Sequence, residues 1–236
     1  DDFLFDYYPY STQRLVTWHP GHGVELLGDV RAFTALADYR ATEGGATTDQ
    51  ARLDRHRQRL SLALRLLGHT AERQPQFGCF GMHEWAMVYG QRQEEVRHSS
   101  SPLRLTPAEI VDVVDEVGLR CTHLDAFRFF TPGARPLNKL APTLDARVDN
   151  EQPGCVHVTM DLFKWAMKAQ PWVSAELAAD AFELAHVARS VDMRASPYDF
   201  SAIGLKPITI ETAEGRSEYE AEQRRLSAAR TEKFRA

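Results

Sequence analysis

The 236-residue sequence contains only three cysteines, and no two of them form a short paired spacing. An odd count without pairing excludes a small disulfide-stabilised scaffold and leads us to expect a reducing, cytoplasmic environment. No apolar run approaches the roughly 20 residues that a membrane-spanning helix needs. The net charge is −5, so any contact with nucleic acid requires a local cluster of Lys and Arg rather than a basic field around the whole molecule.

Several motifs of common enzyme classes are also missing. The sequence has no P-loop, no dinucleotide-binding glycine pattern, no nucleophile elbow and no Cys-x-x-Cys zinc pair. Their absence disfavours most nucleotide-driven and cofactor-driven enzymes, and we expect a metal-independent protein with no cofactor. His19 and His22 flank a Pro-Gly turn and therefore lack the helical geometry of a zinc protease motif.

Helical patterns dominate what is present. They include an amphipathic stretch over 49–68, a capping box at Thr106-Pro-Ala-Glu109 whose helix ends at Gly118, an alanine-rich stretch over 174–191, and a charged segment over 214–234. These patterns predict one mainly α-helical domain over residues 1–236 with minor β segments, with an α+β fold as the alternative. The segment TEGGATT, Thr42 to Thr48, is predicted to be a flexible loop. The aromatic start, DDFLFDYYPY, leads us to expect that the natural protein begins further upstream.

Three segments combine cysteine, histidine, carboxylate and aromatic residues at a density that neither a surface loop nor an ordinary core segment reaches. They are Phe77–Tyr89, Arg120–Asn138 and Cys155–Trp165. Burying Glu84 among apolar neighbours costs several kcal/mol unless it is paired, which predicts a partner, a ligand or an exposed face for it. Residues 119–129 fit either an extended segment or a helix. We expect the three segments to converge on one cleft, together with the bend at 192–199.

Such a set of groups suits hydrolysis of an N-glycosidic bond. A carboxylate stabilises the developing oxocarbenium charge and orients a water, aromatic rings stack a base that has left the duplex, and cations hold the flanking phosphates. The candidate carboxylates are Asp125, which is preferred, Glu84 and Asp161. Candidates for contacting the base or leaving group are His83, His123 and His157. The predicted stacking residues are Trp85, Phe127 and Trp165, and the predicted phosphate ligands are Arg128, Arg135 and Arg194. Each of these residues also has an ordinary structural interpretation as a core, capping or solvated surface group.

The stretches WHPGHG, CFGMHEWAMVYG, RCTHLDAFRFFTPGARPLN, EQPGCVHVTMDLFKWA and DMRASPYDFS resemble a bacterial, mainly actinobacterial, family of 3-methyladenine DNA glycosylase-like proteins. The resemblance covers nearly the whole chain. It implies excision of an alkylated or otherwise modified base from double-stranded DNA, in repair or in defence against foreign DNA with modified bases. It supplies no catalytic residue, because the chain has neither a helix-hairpin-helix signature nor the water-activating motifs of uracil glycosylases.

Two other functions remain open at this stage. One is a hydrolase of free nucleosides or other small molecules, which the acidic net charge favours. The other is a non-catalytic ligand-binding module in which Cys121, His123, Cys155 and His157 hold a structural zinc, because two Cys-x-His pairs supply ligands suited to a tetrahedral ion.

Overall fold

The computed structural model describes Leu4, Tyr7, Tyr8 and residues 10–234, so part of the aromatic start lies outside the described residues. The described chain is mainly α-helical with one small sheet, which confirms the predicted fold class. The strands are β1 (Glu25–Leu27), β2 (Tyr39–Ala41) and β3 (Gly45–Thr48). The described α-helices are α1 (Thr12–Val16), α2 (Arg31–Thr34), α3 (Gln50–Glu72), α4 (Met82–Ala86), α5 (Pro107–Val117), α6 (Leu124–Phe127), α7 (Arg147–Asn150), α8 (Val156–Ala169), α9 (Ala175–Ala195) and α10 (Ala213–Lys233). Two 3-10 turns occur at Arg135–Leu137 and Ser201–Ile203.

The chain divides into two compact units. The first comprises Asp1–Leu67 and Met160–His186, and the second comprises Gly68–Thr159 and Val187–Ala236. The boundaries fall inside α3, α8 and α9. The expectation of a single domain stays a prediction.

The first unit contains the sheet. Strand β3 lies between β1 and β2 and pairs antiparallel with both, with Leu26 opposite Ala46 and Ala41 opposite Ala46 on the other side. The prediction of a flexible loop over 42–48 was therefore wrong for residues 45–48, which form the central strand. A Cβ at Gly45 would lie 1.7 Å from the Leu26 carbonyl oxygen, so only glycine allows the two strands to approach this closely.

Aromatic packing supports the helical part of the first unit. The ring of Phe163 meets Tyr8 edge-on at 6.0 Å, Tyr10 at 5.9 Å and Phe182 at 5.3 Å between centroids. Edge-to-face pairs at these separations contribute about 0.5–1.5 kcal/mol each beyond the area that they bury. These contacts fix the middle of α8 against the N-terminal segment and α9 within the unit.

Local signals set several helix ends. The Thr106 side chain accepts a hydrogen bond from the Glu109 backbone N–H, and the Glu109 carboxylate accepts one from the Thr106 N–H, so the predicted capping box forms at the start of α5. Gly118 ends that helix, as expected. By contrast, α3 continues through Gly68 to Glu72, and Gly68 does not end it.

Helix α10 is charged, as its sequence predicted, but one face of it is buried. That face carries Tyr219, Gln223, Leu226 and Arg230, spaced three to four residues apart, so the segment packs within the second unit rather than lying mostly in solvent. Among the described helices, none combines the length and the apolar character required to cross a membrane.

Candidate functional site

A tight backbone turn precedes the short helix α4 in the second unit. Phe80 has φ +47° and Gly81 has φ +73°, so two successive residues adopt the left-handed conformation. A side chain on Gly81 would press against Tyr219 and Ala195. Strained backbone of this kind costs about 1–3 kcal/mol and is found preferentially at functional sites. The turn delivers an entirely buried helix that carries His83, Glu84 and Trp85.

Glu84 is buried and has a charged partner, which is one of the outcomes expected for a buried carboxylate. Arg189 Nη1 donates to Glu84 Oε1 at 2.9 Å and to Asp192 Oδ2 at 2.7 Å, so one guanidinium joins two buried carboxylates. Arg189 and Asp192 lie three residues apart on α9, whereas Glu84 comes from α4, 105 residues away in sequence. The formal charge of these three groups is −1.

Asp192 continues the cluster toward two histidines. Its Oδ1 lies 2.9 Å from His83 Nε2, yet the ring N–H does not point at the oxygen, and neither atom forms a well-aligned hydrogen bond within the described chain. The rings of His83 and His157 meet edge-on at 4.3 Å between centroids, and His123 stacks on His157 at 5.0 Å. We name His83, Glu84, His157, Arg189 and Asp192 the buried centre.

The buried charges perturb each other's protonation. Burial alone would raise the pKa of Asp192, but His83 and Arg189 outweigh it and hold that pKa well below its usual value. Burial alone would lower the pKa of His83, but the carboxylates of Asp192 and Glu84 together outweigh it and raise the pKa. Ionisable groups with strongly shifted pKa values concentrate at functional sites. The buried centre is therefore a better candidate for a functional site than any single carboxylate.

A small cavity of about 10 Å³ adjoins the buried centre. Its wall includes His83, His157 and all three cysteines, Cys79, Cys121 and Cys155. A space of that size holds roughly one water and cannot hold a nucleobase, which needs a pocket of a few hundred Å³.

The three cysteines are free thiols. Burial raises the pKa of Cys121 to about 12, that of Cys155 well above its usual value, and that of Cys79 as well, so the thiols stay protonated near neutral pH. Among the described residues, no group of three potential metal donors within 4.8 Å of one another includes a cysteine. The donor geometry therefore does not fit the predicted tetrahedral zinc site at the two Cys-x-His pairs.

Two further polar atoms are buried beside these thiols. Gln223 Nε2 donates to the Gly154 carbonyl oxygen at 2.9 Å and contacts Cys79 Sγ at 3.2 Å, while its Oε1 has no hydrogen-bond partner among the described residues. The Tyr219 hydroxyl is also buried without such a partner in the described chain. Burial, followed by the nearby Cys79 and Asp192, raises the pKa of Tyr219 well above its usual value.

Asp125, the preferred carboxylate of the sequence analysis, lies outside the buried centre. Its Oδ2 is 3.2 Å from Arg147 Nη2 and its Oδ1 is 3.7 Å from Arg128 Nη1. Arg147 also donates to Glu151 at 2.6 Å. Asp125 is the second residue of the short helix α6, whose N-cap is His123, so residues 119–123 are non-helical and 124–127 are helical. Neither of the two single conformations considered for 119–129 is correct along its whole length.

The predicted aromatic platform is not assembled around the cavity. Trp85 is fully buried, and its Nε1 donates to the Ala195 carbonyl oxygen at 2.9 Å. Phe127 is half-buried and packs against Phe130 at 5.1 Å between centroids. Neither Trp85 nor Phe127 lines the cavity, whereas Phe130 does.

Two of the predicted site residues belong to the first unit. Asp161 is buried there, accepts a hydrogen bond from the Tyr8 hydroxyl at 2.8 Å and pairs with Lys164. The ammonium groups of Lys164 and Lys168 each lie 4.9 Å from the ring centroid of Trp165. Both side chains therefore have structural contacts within that unit.

Exposed arginines gather at the end of α6. The Arg97 guanidinium lies 5.1 Å from the ring centroid of the partly exposed Phe129, and Arg135 Nη2 donates to the Arg128 carbonyl oxygen at 3.0 Å. The Arg128 side chain is 70% exposed. We name Arg97, Arg128, Phe129 and Arg135 the basic patch. The third predicted phosphate ligand, Arg194, instead donates to the Lys206 carbonyl oxygen and pairs with Glu218.

Sequence reasoning missed Arg189 and Asp192 as site residues. Both lie on the alanine-rich helix α9, next to the apolar residues Ala188 and Val191. In the sequence, an arginine and an aspartate three residues apart beside this apolar stripe were the signal that could have identified them as site residues. The interpretation of 192–199 as a polar bend was wrong at its start, because α9 extends to Ala195. Asp199 is half-buried, and its Oδ1 accepts a hydrogen bond from the Ser201 backbone N–H at 2.8 Å.

Comparisons of the chain with protein-family models, curated proteins and solved structures find no match.

Proposed function

We propose that the chain is a hydrolase of N-glycosidic bonds that acts as a DNA glycosylase on a modified base, with its reaction centre at the buried centre of the second unit. The observation that carries this proposal is the pair of buried carboxylates, Glu84 and Asp192, held by one arginine beside two imidazoles. Retaining so many ionisable groups away from water is costly, and the hydrogen-bond geometry of His83 and Asp192 is incomplete.

The chemistry of base excision matches these groups. The sugar develops oxocarbenium charge as the bond breaks, and a carboxylate close to it provides electrostatic stabilisation. An imidazole can supply a proton to the departing base or orient the attacking water. Asp192 replaces Asp125 as the preferred carboxylate, because Asp192 lies beside the imidazole of His83 within the buried centre, whereas Asp125 lies outside it.

The basic patch supports DNA as the substrate rather than a free nucleoside. It joins the buried centre through one short helix, since α6 connects His123, which stacks on His157, to Arg128 and Phe129. Exposed guanidinium groups beside an exposed ring are the combination that holds phosphates and stacks an unpaired base. The cavity is too small for a base, so binding must displace side chains around it.

Excision is tested with duplex DNA that carries alkylated or other modified bases, by detecting alkali-labile abasic sites. Wild-type protein should produce them, and Asp192→Asn should reduce the rate by about 10²–10⁴-fold, the usual contribution of a group that acts in proton transfer or charge stabilisation. Asp125→Asn should retain most of the activity, and Glu116→Gln, at an exposed position, serves as the matched control. Absence of abasic sites across the panel, or full activity of Asp192→Asn, would refute the proposal.

The substrate class is tested by salt dependence. Each phosphate contact contributes roughly −0.9 to the slope of log K against log salt concentration, so Arg128→Gln should make the slope shallower by about one. Arg225→Gln, which removes an exposed arginine paired with Glu222, should leave the slope unchanged. Turnover of free nucleosides with no salt-sensitive DNA binding would identify the small-molecule hydrolase instead.

A further inference from the structure

Three donor atoms from three separate segments meet inside the second unit. A ring nitrogen of His83 on α4, a ring nitrogen of His157 on α8 and a carboxylate oxygen of Asp192 on α9 all lie within 4.8 Å of one another. All three residues are more than nine-tenths buried. We propose that His83, His157 and Asp192 bind a divalent first-row transition-metal ion, of the class of Fe²⁺, Mn²⁺ or Zn²⁺.

The donor geometry is the first support for a shared ion. Metal–ligand bonds of about 2.1 Å at a right angle separate two donors by about 3.0 Å, and a tetrahedral angle separates them by about 3.4 Å. His83 Nε2 and Asp192 Oδ1 are 2.9 Å apart, closer to the right-angle value. Because the ring N–H does not point at the oxygen, the two atoms are arranged like neighbouring ligands of a third atom rather than like a donor and its acceptor.

The surroundings of Asp192 are the second support. Arg189 donates to Oδ2, the carboxylate oxygen that faces away from His83, and so orients Oδ1 toward the imidazoles. Such outer hydrogen bonds commonly fix the ligands of protein metal sites. In addition, Glu84, Asp192 and Arg189 carry one net negative charge in a water-poor interior, and that charge favours a bound cation.

The ligand set indicates the type of ion. Two imidazoles and one carboxylate with positions left open are typical of non-haem Fe²⁺ sites and of catalytic Zn²⁺ sites, and the near-right-angle arrangement favours an ion with more than four ligands. Thiolate ligands are not part of the proposal, because no cysteine joins the group of donors within the described chain. If the proposed function is correct, the ion would lie at the reaction centre and activate water there. The inference of a metal site does not itself depend on the proposed function.

The site is tested on the full chain without any substrate. Protein expressed in medium supplemented separately with iron, manganese or zinc is dialysed and analysed for bound metal, with about one equivalent of one ion expected per chain. Asp192→Asn and His157→Gln should each weaken binding at least about tenfold in competition with a chromophoric chelator. The matched controls are Asp112→Asn and His69→Gln, at exposed positions of the same unit, which should bind as the wild type does.

A spectroscopic measurement on the wild type keeps the test decisive if a variant fails to fold. Co²⁺ bound by nitrogen and oxygen ligands should give d–d absorption without a thiolate-to-metal charge-transfer band. A thiolate band, metal content no higher than background for all three ions, or unchanged affinity in folded Asp192→Asn would overturn the inference. Bound metal without base excision would refute only the proposed function. Base excision by fully metal-free protein would show that the ion takes no part in the reaction.

Discussion

Arg189 offers the sharpest test of how the buried centre is held together. Its guanidinium contacts Glu84 at 2.9 Å and Asp192 at 2.7 Å, and the three side chains are 11%, 10% and 0% exposed. Arg189→Met keeps an unbranched apolar stem but removes the guanidinium that compensates two buried carboxylates. Breaking a buried pair in this way costs about 3–5 kcal/mol. That is a large fraction of the about 5–15 kcal/mol that stabilises a typical domain.

The assay is urea-induced unfolding followed by circular dichroism, with chelator present so that no metal ion contributes. With a slope of about 2–3 kcal/mol/M, the expected loss lowers the unfolding midpoint by about 1–2.5 M. Arg225→Met is the matched control, because the Arg225–Glu222 pair is exposed and such pairs contribute less than about 1 kcal/mol.

A double variant separates lost attraction from lost packing. Glu84→Leu combined with Arg189→Met replaces both partners by apolar groups, and it should be more stable than the sum of the two single changes predicts. A loss below about 1 kcal/mol for Arg189→Met, or strict additivity in the double variant, would show that the arginine does not compensate the carboxylates.

Three other predictions concern the second unit. Thr106→Ala removes the cap of α5 and should lower the free energy of unfolding by about 1 kcal/mol, measured in urea. Gly154→Ala places a Cβ 2.3 Å from the Gln76 carbonyl oxygen and should cost about 1–3 kcal/mol, whereas Gly68→Ala, in open space on α3, should be neutral or stabilising. Burial raises the pKa of Tyr198 from 10.0 to about 12, so folding favours the neutral phenol. This contribution is complete below pH 10 and is lost as the pH rises through about 12, and Tyr198→Phe should flatten the alkaline decline in stability.

Each of these predictions has a clear contrary result. An unchanged unfolding midpoint for Thr106→Ala would mean that the capping box adds nothing to the helix. If Gly154→Ala matched Gly68→Ala, the close approach to Gln76 would not constrain the backbone. An equally steep alkaline decline with Tyr198→Phe would assign the titration to other groups.

Local features of the fold could be read from the sequence because neighbouring residues determine them. The capping box at Thr106 and the C-terminal Gly118 of α5 depend on side chains within a few residues, and both formed as predicted. Strand β3 could not be read in this way, because its pairing with β1 depends on residues about 20 positions away. Gly45 and Ala46 are disfavoured in strands, so tertiary pairing rather than local preference decides their conformation.

The candidate site also combines features that could be predicted from neighbouring residues with features that depend on distant parts of the chain. Glu84 was predicted to need a partner because burial of a carboxylate has a known cost, and this inference requires no knowledge of the fold. The identity of that partner depends on packing between segments 105 residues apart. Asp125 was favoured because its neighbours along the chain are chemically rich, but Arg147, which approaches from outside that segment, engages it instead.

The left-handed turn at Phe80 and Gly81 has a consequence for protein engineering. Position 81 favours glycine, because a Cβ there would lie 3.2 Å from Tyr219 and 3.3 Å from Ala195 and the backbone has a positive φ. Position 80 is under a different constraint, since asparagine tolerates the left-handed region better than phenylalanine does. Libraries that vary the surroundings of the buried centre should therefore leave residue 81 unaltered and can vary residue 80.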